Sequence, residues 1–160
     1  MTVDYIERLA TELIAKAKKV STAESCTGGL IAKTMTDRAG SSRWFDRGFV
    51  TYSNAAKSDM LSVSSATIES HGAVSEPVAR AMATGALQHS EADYVVAVTG
   101  IAGPDGGSAE KPVGTVWIAV ASQAVREAWL HQFDGDRIAV REATLQSALQ
   151  ALLNLIDSES

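Results

Sequence analysis

One cysteine, Cys26, stands among the 160 residues. An intrachain disulfide is therefore impossible, which excludes a stapled secreted scaffold, and a lone thiol fits a reducing compartment. Long apolar runs are missing too. The longest is the six residues Val116–Ala121, against ~20 for a membrane-spanning helix. Asp4, Glu7, Arg8 and Glu12 interrupt every apolar stretch near the start, so no secretory signal is expected and the protein reads as cytoplasmic, with no membrane partner. Basic residues are in deficit. Fourteen Lys and Arg against nineteen Asp and Glu give a net charge of −5; a dedicated nucleic-acid binder needs a basic face to displace counterions. His71, His89 and His131 lie far apart, without the paired spacing of a metal site.

What is present is an ordinary globular composition, 46% hydrophobic and 21% charged, with no repeat, low-complexity tract or linker. A single domain over residues 1–160 follows from the prior of ~100–200 residues per domain. Val3, Ile6, Leu9, Leu13, Ile14 and Ala17 predict an amphipathic helix from Thr2 to about Lys18. A short strand at Lys19–Ala23, a polar turn and a helix from Gly28 to Arg38 come next. Trp44–Ser53 reads as a strand with Gly48 marking a bulge. Asn54 then caps a helix, a second short helix covers Ser65–His71, and Ser75-Glu76-Pro77 starts a third that runs to about Ser90. Tyr94-Val95-Val96-Ala97-Val98 is apolar on both faces, as in a central buried strand. Val113–Ala121 and Ala124–Phe133 predict a hairpin, and Asp136 caps the last helix. Together these describe an α/β domain with a mixed sheet and helices on both faces.

Four places carry chemistry. Between the first strand and second helix, Ser21-Thr22-Ala23-Glu24-Ser25-Cys26-Thr27-Gly28-Gly29 collects hydroxyl, thiol and carboxylate groups. A helix start offers unpaired N–H groups and a dipole that favours negative charge. Ser25 or Thr27 either caps that helix or stands beside donors suited to an oxyanion. In Tyr52-Ser53-Asn54-Ala55-Ala56-Lys57 the lysine has alanines rather than acids around it. It is either a solvated surface residue or a desolvated base. The loop Thr99-Gly100-Ile101-Ala102-Gly103-Pro104-Asp105-Gly106-Gly107 leaves the best central strand, where ligands of open α/β sheets sit. It has neither the Gly-Lys-Ser/Thr of a phosphate loop nor the helix that follows a dinucleotide fingerprint. Arg137 and Arg141 share one face at a helix start, either as a phosphate site or paired with Asp134, Asp136 or Glu142.

Three of these segments, with Lys111-Pro112-Val113-Gly114-Thr115-Val116, strongly resemble the CinA C-terminal-domain family, and the resemblance covers nearly the whole chain. It implies an α/β fold, a homodimer or higher homo-oligomer, and nicotinamide-nucleotide amidohydrolase activity, the conversion of nicotinamide mononucleotide to nicotinate mononucleotide and ammonia. It implies Ser25 as nucleophile with Lys57 and Tyr52 as activating partners, and no metal or organic cofactor. Substrate binding is expected from Thr27, Gly28, Gly29, Thr99, Gly100 and Gly103. Arg137 and Arg141 are the candidates for the phosphate, and oxyanion donors are expected at Thr27–Gly28 or in the Gly100 loop. Two competing classes are a cysteine amidase using Cys26, for which no nearby histidine speaks, and a catalytically silent nucleotide-binding or damage-response module.

Overall fold

A computed structural model describes all 160 residues. Helix α1 (Thr2–Lys16) leads into strand β1 (Val20–Glu24), helix α2 (Leu30–Thr36) and strand β2 (Phe45–Val50). Helices α3 (Asn54–Leu61), α4 (Ser65–His71) and α5 (Glu76–Gln88) come before strands β3 (Tyr94–Gly100), β4 (Thr115–Ala121) and β5 (Arg126–Gln132). Helix α6 (Arg137–Ser158) ends the chain. The five strands form one sheet in the order β2-β1-β3-β4-β5. Strand β1 is parallel to both neighbours, and β4 is antiparallel to both of its own. The expected mixed α/β domain is therefore what forms.

Alternation along β3 divides the core between two helical layers. Val96 and Val98 face Leu9, Leu13, Ile31 and Leu149 of α1, α2 and α6. Val95 and Ala97 face Leu61, Ile68, Val78 and Met82 of α3, α4 and α5. Between them the layers bury both faces of β3, as its unbroken apolar run requires. The chain leaves β1 toward β2 on one side and returns to β3 on the other, so the carboxyl ends of β1 and β3 flank a topological switch point.

Several boundaries differ from those expected, each for a local reason. Helix α2 starts at Leu30 rather than Gly28, because Gly28 (φ 58°) and Gly29 (φ 105°) hold left-handed backbone that a helix cannot include. Strand β2 is shorter than Trp44–Ser53; Trp44 closes a 3₁₀ turn and is fully buried. The bulge lies at Asp46, not Gly48: Val20 pairs with Phe45 and Ser21 with Arg47. Gly48 instead lies flat against the α2 layer. A Cβ there would come within 3.0 Å of the Ala32 Cβ and the Thr22 Oγ1. The cap of α3 is Ser53, whose hydroxyl accepts from Ala56 N at 3.0 Å, with Asn54 the first helical residue. Ser75 and Asp136 cap α5 and α6 as expected.

Candidate active site

The site grows from the end of β1. Past Glu24 the chain keeps its place in the sheet for one more residue, since Ser25 N–H donates to Val98 O at 3.1 Å. Glu24 is fully buried. Its carboxylate accepts Thr27 Oγ1–H at 2.6 Å and the N–H groups of Ile31 and Ala32, each at 2.9 Å. The anion thus sits on the positive end of α2 and uses its first free donors. Capping by Ser25 or Thr27 is displaced by this arrangement, and the Ser25 hydroxyl is left to the site.

Helix α3 delivers the lysine. Lys57 is 1% exposed, and its Nζ lies 3.1 Å from Ser25 Oγ, 3.2 Å from Thr51 O and 3.1 Å from Tyr52 O. It takes part in none of the chain's ion pairs. Burial without an anion lowers its pKa below the ordinary lysine value. Close packing holds α3 in place behind it: Gly85 of α5 lies so near that a Cβ would meet Leu61 O at 1.9 Å.

Tyr52 meets the pair through its main chain. Its carbonyl accepts from Lys57, and Ser25 Oγ lies 3.4 Å from the same oxygen. The phenol points elsewhere, accepting from Arg137 Nη2 at 3.1 Å, while Arg137 Nη1 donates to Gly103 O at 2.8 Å. Cys26 is 5% exposed, and burial pushes its thiol up to about 12. Thr99 Oγ1 donates to Ala73 O at 2.9 Å, which ties the α4–α5 connection to the end of β3.

A cavity of about 200 Å³ opens over this group, at the switch point. Of the residues expected at the site, Ser25, Lys57, Tyr52, Thr99, Gly100 and Arg137 line it. Thr27, Gly28, Gly29 and Gly103 do not line it, nor does Arg141, whose Nη2 donates to Thr27 O at 2.9 Å. Neither Arg137 nor Arg141 pairs with a carboxylate. The Gly28 N–H, expected among the oxyanion donors, is engaged by Ser25 O at 3.1 Å. Sequence reasoning did not single out Ala73 or Val74, which no motif marks, nor give a site role to Asn54 or Ala102, which lie inside the quoted motifs and also line the cavity. Nor did it foresee the capping role of Glu24, although a carboxylate just before a helix start was the available signal.

The fold is that of one known class of domain. Residues 3–156 match the family described as CinA C-terminal domain, and the chain belongs to that family. It is 56% identical over 147 residues to an Escherichia coli K12 protein named nicotinamide-nucleotide amidohydrolase PncC, covering 91% of this chain and 89% of that one. A protein of the same name from Enterobacter agglomerans is 58% identical over 146 residues, with the same coverage. Among solved structures, a competence/damage inducible protein from Agrobacterium tumefaciens superposes with a TM-score of 0.94 at 49% identity, covering 96% of this chain and 94% of that one. A CinA superfamily protein from Klebsiella pneumoniae gives 0.94 at 37% identity, covering 99% of both chains.

Proposed function

We propose that this chain is a nicotinamide-nucleotide amidohydrolase in which Ser25 attacks the carboxamide and Lys57 moves its proton. The observation that carries this is the 3.1 Å contact between a hydroxyl and a buried amine with no anion to keep it charged. As the neutral amine, Lys57 takes the Ser25 proton while Oγ bonds to the carboxamide carbon. The tetrahedral oxyanion is held by main-chain N–H groups of the turn. Lys57 then gives its proton to the departing nitrogen, and ammonia leaves. Water attacks the acyl-serine ester, its proton passes to Lys57 and then to Ser25 Oγ, and nicotinate mononucleotide is released. Tyr52 supports the lysine through its carbonyl and holds Arg137 through its phenol. Arg137, at the cavity rim and free of carboxylates, is the candidate contact for the 5′-phosphate.

The names and identity levels of the relatives support the substrate. Purified protein incubated with nicotinamide mononucleotide is expected to release stoichiometric ammonia and nicotinate mononucleotide. Binding of the nucleotide without ammonia release would overturn the reading in favour of a silent binding module. The same reading carries a cytoplasmic homodimer or higher homo-oligomer. No helix is long and apolar enough to cross a membrane, and β5 is an edge strand exposing Trp129 and Leu130. Light scattering that returns the mass of one chain would remove the oligomer.

A further inference from the structure

We propose that Arg141 is a positioning residue that orients and strengthens the Cys26 N–H as the oxyanion donor, acting through two peptide groups of the Ser25–Gly28 turn. This rests on the amidohydrolase reading above. The path is continuous. Arg141 Nη2 donates to Thr27 O at 2.9 Å. The N–H of that same peptide group, on Gly28, donates to Ser25 O at 3.1 Å. The N–H of the peptide group bearing Ser25 O belongs to Cys26, which lines the cavity and donates to no carbonyl of the chain. Each bond in such a series polarises the next, so a charge at one end makes the free donor at the other more acidic. A main-chain N–H immediately after a nucleophilic serine is a recurrent oxyanion donor.

Three further observations favour this role over a direct grip on substrate. Arg141 lies behind the turn and does not line the cavity, whereas Arg137, one helical turn earlier, does. Its guanidinium is not neutralised by any carboxylate, and its buried Nε has no partner. Its field reaches the turn, since it acts to lower the pKa of the Cys26 thiol against the larger effect of burial. Gly28 completes the arrangement: with φ 58° it brings the backbone under the arginine, and a Cβ there would lie 3.6 Å from Arg141 Nη2.

The test compares Arg141→Gln and Arg141→Lys with wild type on two substrates and two inhibitors. The substrates are nicotinamide mononucleotide and nicotinamide riboside, which lacks the phosphate. The inhibitors are nicotinate mononucleotide and the 3-carboxaldehyde analogue of the nucleotide. Ser25 Oγ bonds to the aldehyde carbon, the carbonyl pair becomes an oxyanion, and the serine proton goes to Lys57. Outright loss of an oxyanion donor costs about 10²–10³-fold in kcat, so a weakened and misaligned one is expected to cost about tenfold. Arg141→Gln should show that loss in kcat on both substrates, with each KM unchanged. Aldehyde affinity should fall by a similar factor while affinity for the acid stays constant, and Arg141→Lys should recover part of both. Unchanged kcat and aldehyde affinity would overturn the proposal. A rise in KM for the nucleotide alone would make Arg141 a phosphate contact instead. Equal losses for aldehyde and acid would reduce it to a prop of the fold. Wild-type protein that releases no ammonia would refute the amidohydrolase reading. The aldehyde still reports on Arg141 in that case, because adduct formation needs no turnover.

Discussion

Lys57 Nζ and Ser25 Oγ lie 3.1 Å apart in the interior of the domain, with two main-chain carbonyls and no carboxylate completing the shell of the amine. An ammonium there would donate to Ser25 Oγ, Thr51 O and Tyr52 O. A neutral amine would keep the two carbonyls and accept the serine hydroxyl. Both protonation states are thus satisfied by the same geometry, and burial tilts the balance toward the amine.

Activity is therefore expected to rise with pH through the lowered pKa of Lys57 and to level off above it, because only the amine accepts a proton. Lys57→Arg should be nearly inactive, since a guanidinium stays protonated; substantial turnover would mean that Lys57 serves only to position. The stability consequence has a definite sign. Between the lowered pKa and the ordinary lysine value of 10.5 the unfolded chain binds more protons at this site than the folded one, so unfolding free energy rises with pH across that window. Lys57→Met lacks this contribution. Denaturant titrations at neutral and at alkaline pH should show the stability difference moving toward wild type as pH rises, and a constant difference would contradict the shift.

Ser25 and Cys26 are adjacent, and substitution distinguishes them. With its thiol at about 12, roughly one Cys26 in 100,000 is ionised near neutrality. Cys26→Ala is expected to retain much of the ammonia release and Ser25→Ala to lose it. The wild-type thiol should also react slowly with iodoacetamide in the folded protein. The opposite pattern of activities would make Cys26 the nucleophile.

Legibility from sequence follows the range of the interactions concerned. The Tyr94–Val98 run and the caps Ser75 and Asp136 depend on neighbours within a few positions, and they form where expected. Helix α2 and the Asp46 bulge depend on two glycines and on register against β1, which composition does not encode. The site is non-local throughout. From sequence Lys57 stays open between a surface lysine and a desolvated base until the end of β1 and the Thr51 and Tyr52 carbonyls enclose its amine. The Tyr52 phenol and Arg137 meet across 85 positions of chain. Motif resemblance brought the distant segments together where periodicity had no means to do so.

Glu24 should matter to stability as much as to activity. Its carboxylate satisfies the Thr27 hydroxyl and two N–H groups of α2 in a fully buried place. Glu24→Ala strands all three donors, at a cost of about 2–4 kcal/mol given 1–3 kcal/mol for each unsatisfied buried group and partial relaxation. That corresponds to a fall in Tm of about 5–15 °C for a domain of this size. A calorimetric scan within a degree or two of wild type would show that water or rearrangement replaces the carboxylate.

The proposed phosphate contact at Arg137 concerns substrate selection. The chain carries a net charge of −5, so a dianionic phosphate is repelled at long range unless a local cation receives it. Arg137 is such a cation: it lines the cavity, pairs with no carboxylate, and is held by Gly103 O and the Tyr52 phenol rather than by an opposing charge. Its place in the first turn of α6 opposes the helix dipole, a small cost that a bound phosphate would reverse. Arg137→Ala is expected to weaken nicotinamide mononucleotide by about 1.5–3 kcal/mol, the scale of hydrogen bonds to charged groups, seen as a rise in KM. Nicotinamide riboside, which has no phosphate to lose, should be processed almost as before. Tyr52→Phe removes one of the two anchors and leaves the guanidinium, so its effect should fall in the same direction and be smaller. Because destabilised protein loses both substrates in proportion, the ratio of the two is the measurement that counts. An unchanged ratio in Arg137→Ala would move the phosphate contact away from this residue.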